Sequence, residues 1–138
     1  MKSKIFLMLN HIHRWLQAKR FFSVLAFFST LVVVFLSLKP PSPDSQSWTF
    51  FFFRGDLILH FVCYFGMTFV YFFAFYTQKN ALKKSGLSSL LLGCLLELFQ
   101  LAPVFHRYFD LLDLLANSLG VLGAWIAVKG IFYYSVKE

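Results

Sequence analysis

The sequence predicts an all-α polytopic membrane protein, with four transmembrane helices in one bundle and an interfacial helix at the N-terminus. Three observations predict it. Of the 138 residues, 59% are hydrophobic and only 14% are charged, whereas soluble domains average roughly 45–50% apolar residues. The apolar residues gather into four runs, each close to the roughly 17–25 residues that cross about 30 Å of hydrocarbon. No run alternates polar with apolar residues as the strands of a membrane barrel must. The composition excludes disorder, which needs low hydrophobicity and high charge. It also excludes a soluble domain, because one small core cannot hide this much apolar surface.

Residues 1–20 place Ile5, Met8, Leu9, Ile12, Trp15 and Leu16 at helical spacing, with Asn10, Arg14 and Gln17 opposite. That is the pattern of a short helix lying in the inner membrane interface. His11 and His13 fall in it and read as solvated interfacial residues rather than metal ligands. The first span, 21–38, carries no charge and stops at Lys39-Pro40-Pro41-Ser42-Pro43, which cannot continue a helix. It is longer than a signal-peptide core and has no small-residue cleavage site behind it, so it is expected to stay as an anchor. The second span, 57–76, is interrupted only by His60. The third, 87–105, contains Glu97 and Gln100, and Pro103 is expected to end or kink it. The fourth, 111–132, contains Asp113 and Asn117. Cys63 and Cys94 sit inside apolar runs and read as small fillers, not as a disulfide. No loop is long enough for a second domain, so 1–138 reads as one membrane domain.

Charge orients the spans. Ten of the 13 Lys and Arg lie on the N-terminal flank, in the loop after the second span, or in the tail. They are Lys2, Lys4, Arg14, Lys19, Arg20, Lys79, Lys83, Lys84, Lys129 and Lys137. The opposite side holds only Lys39, Arg54 and Arg107. The positive-inside rule therefore puts both termini in the cytoplasm. The net charge of +7 is then a topology signal, and nucleic acid is not an expected partner.

With that orientation, the polar residues inside the spans fall on one side of the membrane. Asp56, His60, Glu97, Gln100, Asp110, Asp113 and Asn117 are the candidates. A carboxylate near a helix centre costs roughly 2.5–3.5 kcal/mol on insertion scales, so its presence marks function or a tight polar contact. At 1.5 Å per residue, His60 lies about 6 Å below the outer end of its span, and Gln100 and Glu97 about 8 and 12 Å below theirs. Asp56, His60 and Tyr64 share one helix face; Glu97 and Gln100 share another. Asp110, Asp113, Asn117, Gly120 and Ala124 form one stripe down the fourth span, polar above and small below. The expected assembly is a bundle around an outward-facing polar pocket. The plainer reading is that the same groups bond one another and fix helix packing. Tyr64 and the Phe residues read as packing, and Asp110 alone as a helix N-terminal residue favoured by the dipole.

These residues resemble the VanZ-like family of small bacterial membrane proteins. The likeness runs through D-L-I-L-H-F-V-C-Y at Asp56–Tyr64, E-L-F-Q-L-A-P at Glu97–Pro103, and R-Y-F-D-L-L-D-L-L-A-N-S-L-G at Arg107–Gly120. It covers about half the chain, and the last element is the most specific. The chain departs from the family pattern at Leu57, where Lys is frequent, and at Val104-Phe105-His106, which lengthen the turn before Arg107. The resemblance implies Asp56, His60, Glu97, Gln100, Arg107, Asp110, Asp113 and Asn117 as site residues. It also implies the bacterial cytoplasmic (inner) membrane and a link, through the family's namesake, to resistance to the glycopeptide teicoplanin. It implies no defined reaction.

Three functional readings stay open. In the first, the pocket binds an amphiphilic envelope ligand, a lipid headgroup or a lipoglycopeptide, and serves glycopeptide resistance or envelope maintenance. Arg54 and Arg107 at the rim would meet its phosphate or carboxylate. In the second, the protein is a membrane-embedded enzyme acting on a lipid-linked substrate, with paired carboxylates as acid and base and His60 moving protons. His60, Glu97 and Asp113 can then also ligate a divalent metal, although no catalytic signature accompanies them. In the third, the chain is a transporter subunit or a purely structural element. No cofactor is assigned, the main reading names no metal ligand, and membrane lipids are the expected partners, with oligomerisation left open.

Overall fold

The computed structural model describes residues 18–40, 49–50 and 53–134. The expected interfacial helix over 1–20 therefore lies almost wholly outside the described residues. Within them the fold is helical. Helix α1 runs Lys19–Leu38, α2 Gly55–Ala74, α3 Ala81–Phe99 and α4 Leu111–Lys129. A π-helical turn, Gly130–Tyr134, extends α4. Three of these helices are long and apolar enough to cross a membrane: Lys19–Leu38, Gly55–Ala74 and Leu111–Phe132. Helix α3 is 19 residues long but carries Lys83, Lys84 and Glu97, and it is the most polar of the four.

Each boundary has a local cause. Lys39 is extended (φ −58°, ψ 131°), as the residue before a proline must be, and α1 ends there. Two short strands, β1 Thr49–Phe50 and β2 Phe53–Arg54, pair antiparallel just before α2. No strand was expected from the sequence; a two-residue ribbon leaves no periodicity to read. Asn80, in the left-handed region (φ 61°), turns the chain into α3, a conformation Asn tolerates better than most residues.

The third helix corrects the expected 87–105 by six residues at both ends. It starts at Ala81 because Lys83, Lys84 and Ser85 are acceptable helix formers even though they break the apolar run. It stops at Phe99 because the Pro103 ring would collide with the Phe99 carbonyl, four residues back. Pro103–Phe105 instead forms a 3-10 turn, closed by His106 in the left-handed region. Glu97 and Gln100 consequently lie at the end of α3 rather than two turns inside it. The second span likewise runs 55–74 instead of 57–76.

Successive helices are antiparallel, and α2 lies at the centre, packed against α1, α3 and α4. The closest approach is between α2 and α4 at Gly120. A Cβ there would stand 2.4 Å from the Phe61 carbonyl oxygen and 3.0 Å from the Phe65 nitrogen. Gly86 faces Val121, and Gly93 faces the Tyr64 ring, so small residues also set the inner face of α3. The apolar interior is Val33, Tyr64, Met67, Leu96 and Val121, with Phe72, Ala81, Leu82 and Val128 at the end where α4 finishes. The outside of the bundle shows Phe21, Phe27, Phe28, Phe35, Leu91, Leu95, Leu119 and Ile126. So apolar an exterior suits lipid, not water.

Helices α1 and α2 are joined midway by one side-chain hydrogen bond. Thr30 Oγ1 donates to the Ala26 carbonyl (2.7 Å), which uses its single proton. The Tyr71 hydroxyl, 2.6 Å away, must therefore donate to Thr30 Oγ1. A double-mutant cycle of Thr30→Val and Tyr71→Phe is expected to give a coupling of about 0.6–1.7 kcal/mol, the range for interhelical bonds in membranes. Reversible unfolding in mixed micelles measures it.

Candidate functional site

The site is built where α1 and α3 end and α2 and α4 begin. Its rim is a salt-bridged clip. Asp110 is the N-cap of α4, its Oδ1 accepting from the Leu112 N–H at 2.9 Å. Asp56, in the first turn of α2, accepts from the Leu57 N–H at 2.9 Å. Both carboxylates thus sit at positive helix ends. Arg54 ties them together: Nε and Nη2 form a fork on Asp56 (3.1 and 2.5 Å), and Nη1 reaches Asp110 Oδ2 at 3.1 Å. The hydrogen bonds it donates to Asp56, and then to Asp110, push the Arg54 guanidinium above its already high ordinary value, against the opposing effect of burial. Arg54 is thereby committed to internal partners. Its expected role of meeting a ligand phosphate or carboxylate at the rim would have to compete with these two carboxylates.

About one turn below, four side chains from three helices meet. His60 on α2 has Nδ1 2.9 Å from Asn117 Oδ1 on α4. An amide oxygen only accepts, so Nδ1 carries the proton and donates it there. The other ring nitrogen, Nε2, faces Asp113 Oδ2 at 3.4 Å. Glu97 on α3 completes the group; a ligating atom from each of His60, Glu97 and Asp113 lies within 4.8 Å of the other two. Glu97 and Asn117 are each 1% exposed, and Asp113 is 8% exposed. Their hydrogen bonding is nonetheless incomplete. Glu97 Oε2, Asp113 Oδ1 and Asn117 Nδ2 have no hydrogen-bond partner among the described residues, and neither has the buried Tyr64 hydroxyl. Buried acceptors left open in this way are expensive, typically about 1–3 kcal/mol each and more for charged groups.

Gln100 and Arg107 share a backbone partner. Both donate to the Ser37 carbonyl at the end of α1, Gln100 Nε2 at 3.0 Å and Arg107 Nη1 at 2.6 Å. Orphan carbonyls at a helix C-terminus need such donors. These two residues anchor α1 against α3 and the loop, and they leave the acid–histidine group to α2, α3 and α4. Sequence reasoning missed Ser37 because the acceptor is a backbone oxygen, which no side-chain pattern marks. It also treated Tyr64 as packing alone. The ring does pack against Gly93, but its buried hydroxyl is one of the open polar atoms. Cys63 and Cys94 are both free thiols.

Chemically, the arrangement offers carboxylate oxygens and an imidazole nitrogen in a largely dry interior, with Arg54 ion-paired at its rim and Arg107 hydrogen-bonded to the Ser37 carbonyl. It is an acceptor-rich site, suited to a proton, an amine or hydroxyl donor, or a metal ion. The chain matches no protein-family model, no curated protein and no solved structure.

Proposed function

We propose that the chain is a four-span bacterial inner-membrane protein of the VanZ-like type, with both termini cytoplasmic. Its acidic site binds the polar part of an amphiphilic envelope ligand, a lipid headgroup or a lipoglycopeptide. The observation that carries this reading is the set of buried, unfilled acceptors on Glu97 and Asp113 beside His60. Polar groups at such depth are costly and are usually retained for a partner. With Arg54 ion-paired to Asp56 and Asp110, and with the open buried carboxylate oxygens being acceptors, the ligand's contribution is a donor, an amine or hydroxyl group, more than a phosphate. Helix α3 then crosses the membrane with Lys83 and Lys84 at its cytoplasmic end, where basic residues belong. A role in glycopeptide resistance or envelope maintenance would follow from the ligand.

A second reading, an enzyme acting on a lipid-linked substrate, is favoured by one feature: His60 and Asp113 face each other at 3.4 Å beside a second carboxylate, a pairing suited to proton transfer.

Native mass spectrometry of protein released from lipid nanodiscs tests the binding reading. Wild type is expected to retain an amphiphile that folded Glu97→Gln and Asp113→Asn both lose. If all three proteins carry the same species, the polar group only holds helices together and the binding reading fails.

A further inference from the structure

We propose that His60, Glu97 and Asp113 form a binding site for one divalent transition-metal ion, with zinc the best match to the donors. The proposal does not depend on the amphiphile. It begins with a conflict in the geometry. Asn117 Oδ1 fixes the Nδ1 proton, so a neutral His60 turns the lone pair of Nε2 toward Asp113 Oδ2, 3.4 Å away. Two lone-pair atoms facing one another need a positive charge between them, either a second proton on His60 or a metal ion. Two donors each about 2.0–2.1 Å from a tetrahedral zinc ion stand about 3.4 Å apart. The observed separation is the edge of such a tetrahedron.

The third donor fits the same centre. Three atoms no more than 4.8 Å apart always share a point within about 2.8 Å of each, so shifts of about 0.7 Å bring all three to zinc distance. Side-chain rotation supplies shifts of that size. The unpartnered Glu97 Oε2 and Asp113 Oδ1 are buried oxygens that the fold itself leaves open. Asn117 acts on His60 from behind, holding the tautomer and ring orientation that aim Nε2 at the ion, as partners of metal-bound histidines do. One imidazole with two carboxylates favours zinc or a neighbouring transition metal over magnesium and calcium, which prefer oxygen alone. Two negative carboxylates and a dication also leave the dry interior neutral. Three protein ligands leave a fourth position for water or for a donor group of a bound molecule.

The test uses the full chain in detergent or nanodiscs, stripped with chelator, reloaded with zinc or cobalt and dialysed, with metal counted by elemental mass spectrometry. Wild type is expected to hold one ion per chain, and the cobalt form to show the intense visible bands of a four-coordinate site. His60→Ala, Glu97→Gln and Asp113→Asn are each expected to lose the ion, and Asn117→Ala to bind it about 10–100-fold more weakly. Cys63→Ser/Cys94→Ser is expected to keep it, since thiols take no part. Zinc should raise the melting temperature of wild type and leave Asp113→Asn unchanged, which reads the site even if His60→Ala fails to fold. A folded wild type holding no zinc or cobalt, or holding as much after the Glu97 and Asp113 substitutions, overturns the proposal. Metal and amphiphile appear as separate masses, so failure of one reading is distinct from failure of the other.

Discussion

Gly120→Ala is expected to destabilise the bundle by about 3 kcal/mol, the upper part of the usual range for overpacking, because the added methyl meets backbone. The new Cβ would lie 2.4 Å from the Phe61 oxygen, 3.0 Å from the Phe65 nitrogen and 3.2 Å from the Phe61 carbonyl carbon. A side chain can rotate away from such a contact; a helix backbone cannot. Helices α2 and α4 must therefore separate, and the packing around Val121, Ala124 and Val128, all buried, opens with them. Two other glycines calibrate the result. Gly93→Ala meets the edge of the Tyr64 ring at 3.0 Å, which can yield slightly, so a smaller loss is expected. Gly66→Ala meets nothing within 4 Å and should be neutral or stabilising by up to about 1 kcal/mol, the ordinary gain of Ala over Gly in a helix. Unfolding in mixed micelles should rank the three in that order. If Gly120→Ala matches Gly66→Ala, the close approach of α2 to α4 is wrong. The same separation would move His60 away from Asp113 and Asn117, so metal or ligand retention should fall with stability.

That close contact was legible before any coordinates, because Gly120 and Ala124 continue the stripe begun by Asp113 and Asn117. Helical periodicity is a strong signal in apolar spans, since a polar or small residue stands out against Leu and Phe. All four residues are buried on the face that α4 turns to its neighbours. Boundaries were less legible. An apolar run reports where a helix contacts lipid, and α3 begins before that run, with Lys83 and Lys84 already helical. Its far end was set by Pro103 acting four residues upstream, a steric effect that a hydropathy count does not contain. Within the site, the grouping of His60, Glu97, Asp113 and Asn117 follows from faces and spans. The separate task of Gln100 and Arg107 does not, since it depends on where the Ser37 carbonyl ends up. The ion pairing of Arg54 was not legible for a related reason. One of its carboxylate partners, Asp110, lies 56 residues away in the chain, and only the folded bundle brings it within 3.1 Å.

Glu97→Gln is expected to make the metal-free protein more stable, by about 1–3 kcal/mol, while abolishing retention of metal and ligand. Glu97 is 1% exposed and its Oε2 has no hydrogen-bond partner among the described residues, so placing a charge there is costly. The ligating oxygens of Asp113 and Glu97 lie within 4.8 Å, so two charges there would repel each other. Glutamine keeps the shape, removes one of those charges and supplies an N–H donor for the open Asp113 Oδ1. Asp113→Asn is expected to gain less, because it also removes the carboxylate that faces His60 Nε2 at 3.4 Å. The opposite signs are the discriminating feature. A polar contact that merely glues helices loses stability when it is altered, whereas a residue held in a costly position for a partner gains stability and loses the partner. Melting of chelator-treated wild type and both variants, followed by the same melts with zinc restored, separates the two cases. Wild type should rise on zinc addition and overtake Glu97→Gln. If Glu97→Gln melts lower than wild type without metal, Glu97 is a structural contact and the acidic group is not a binding site.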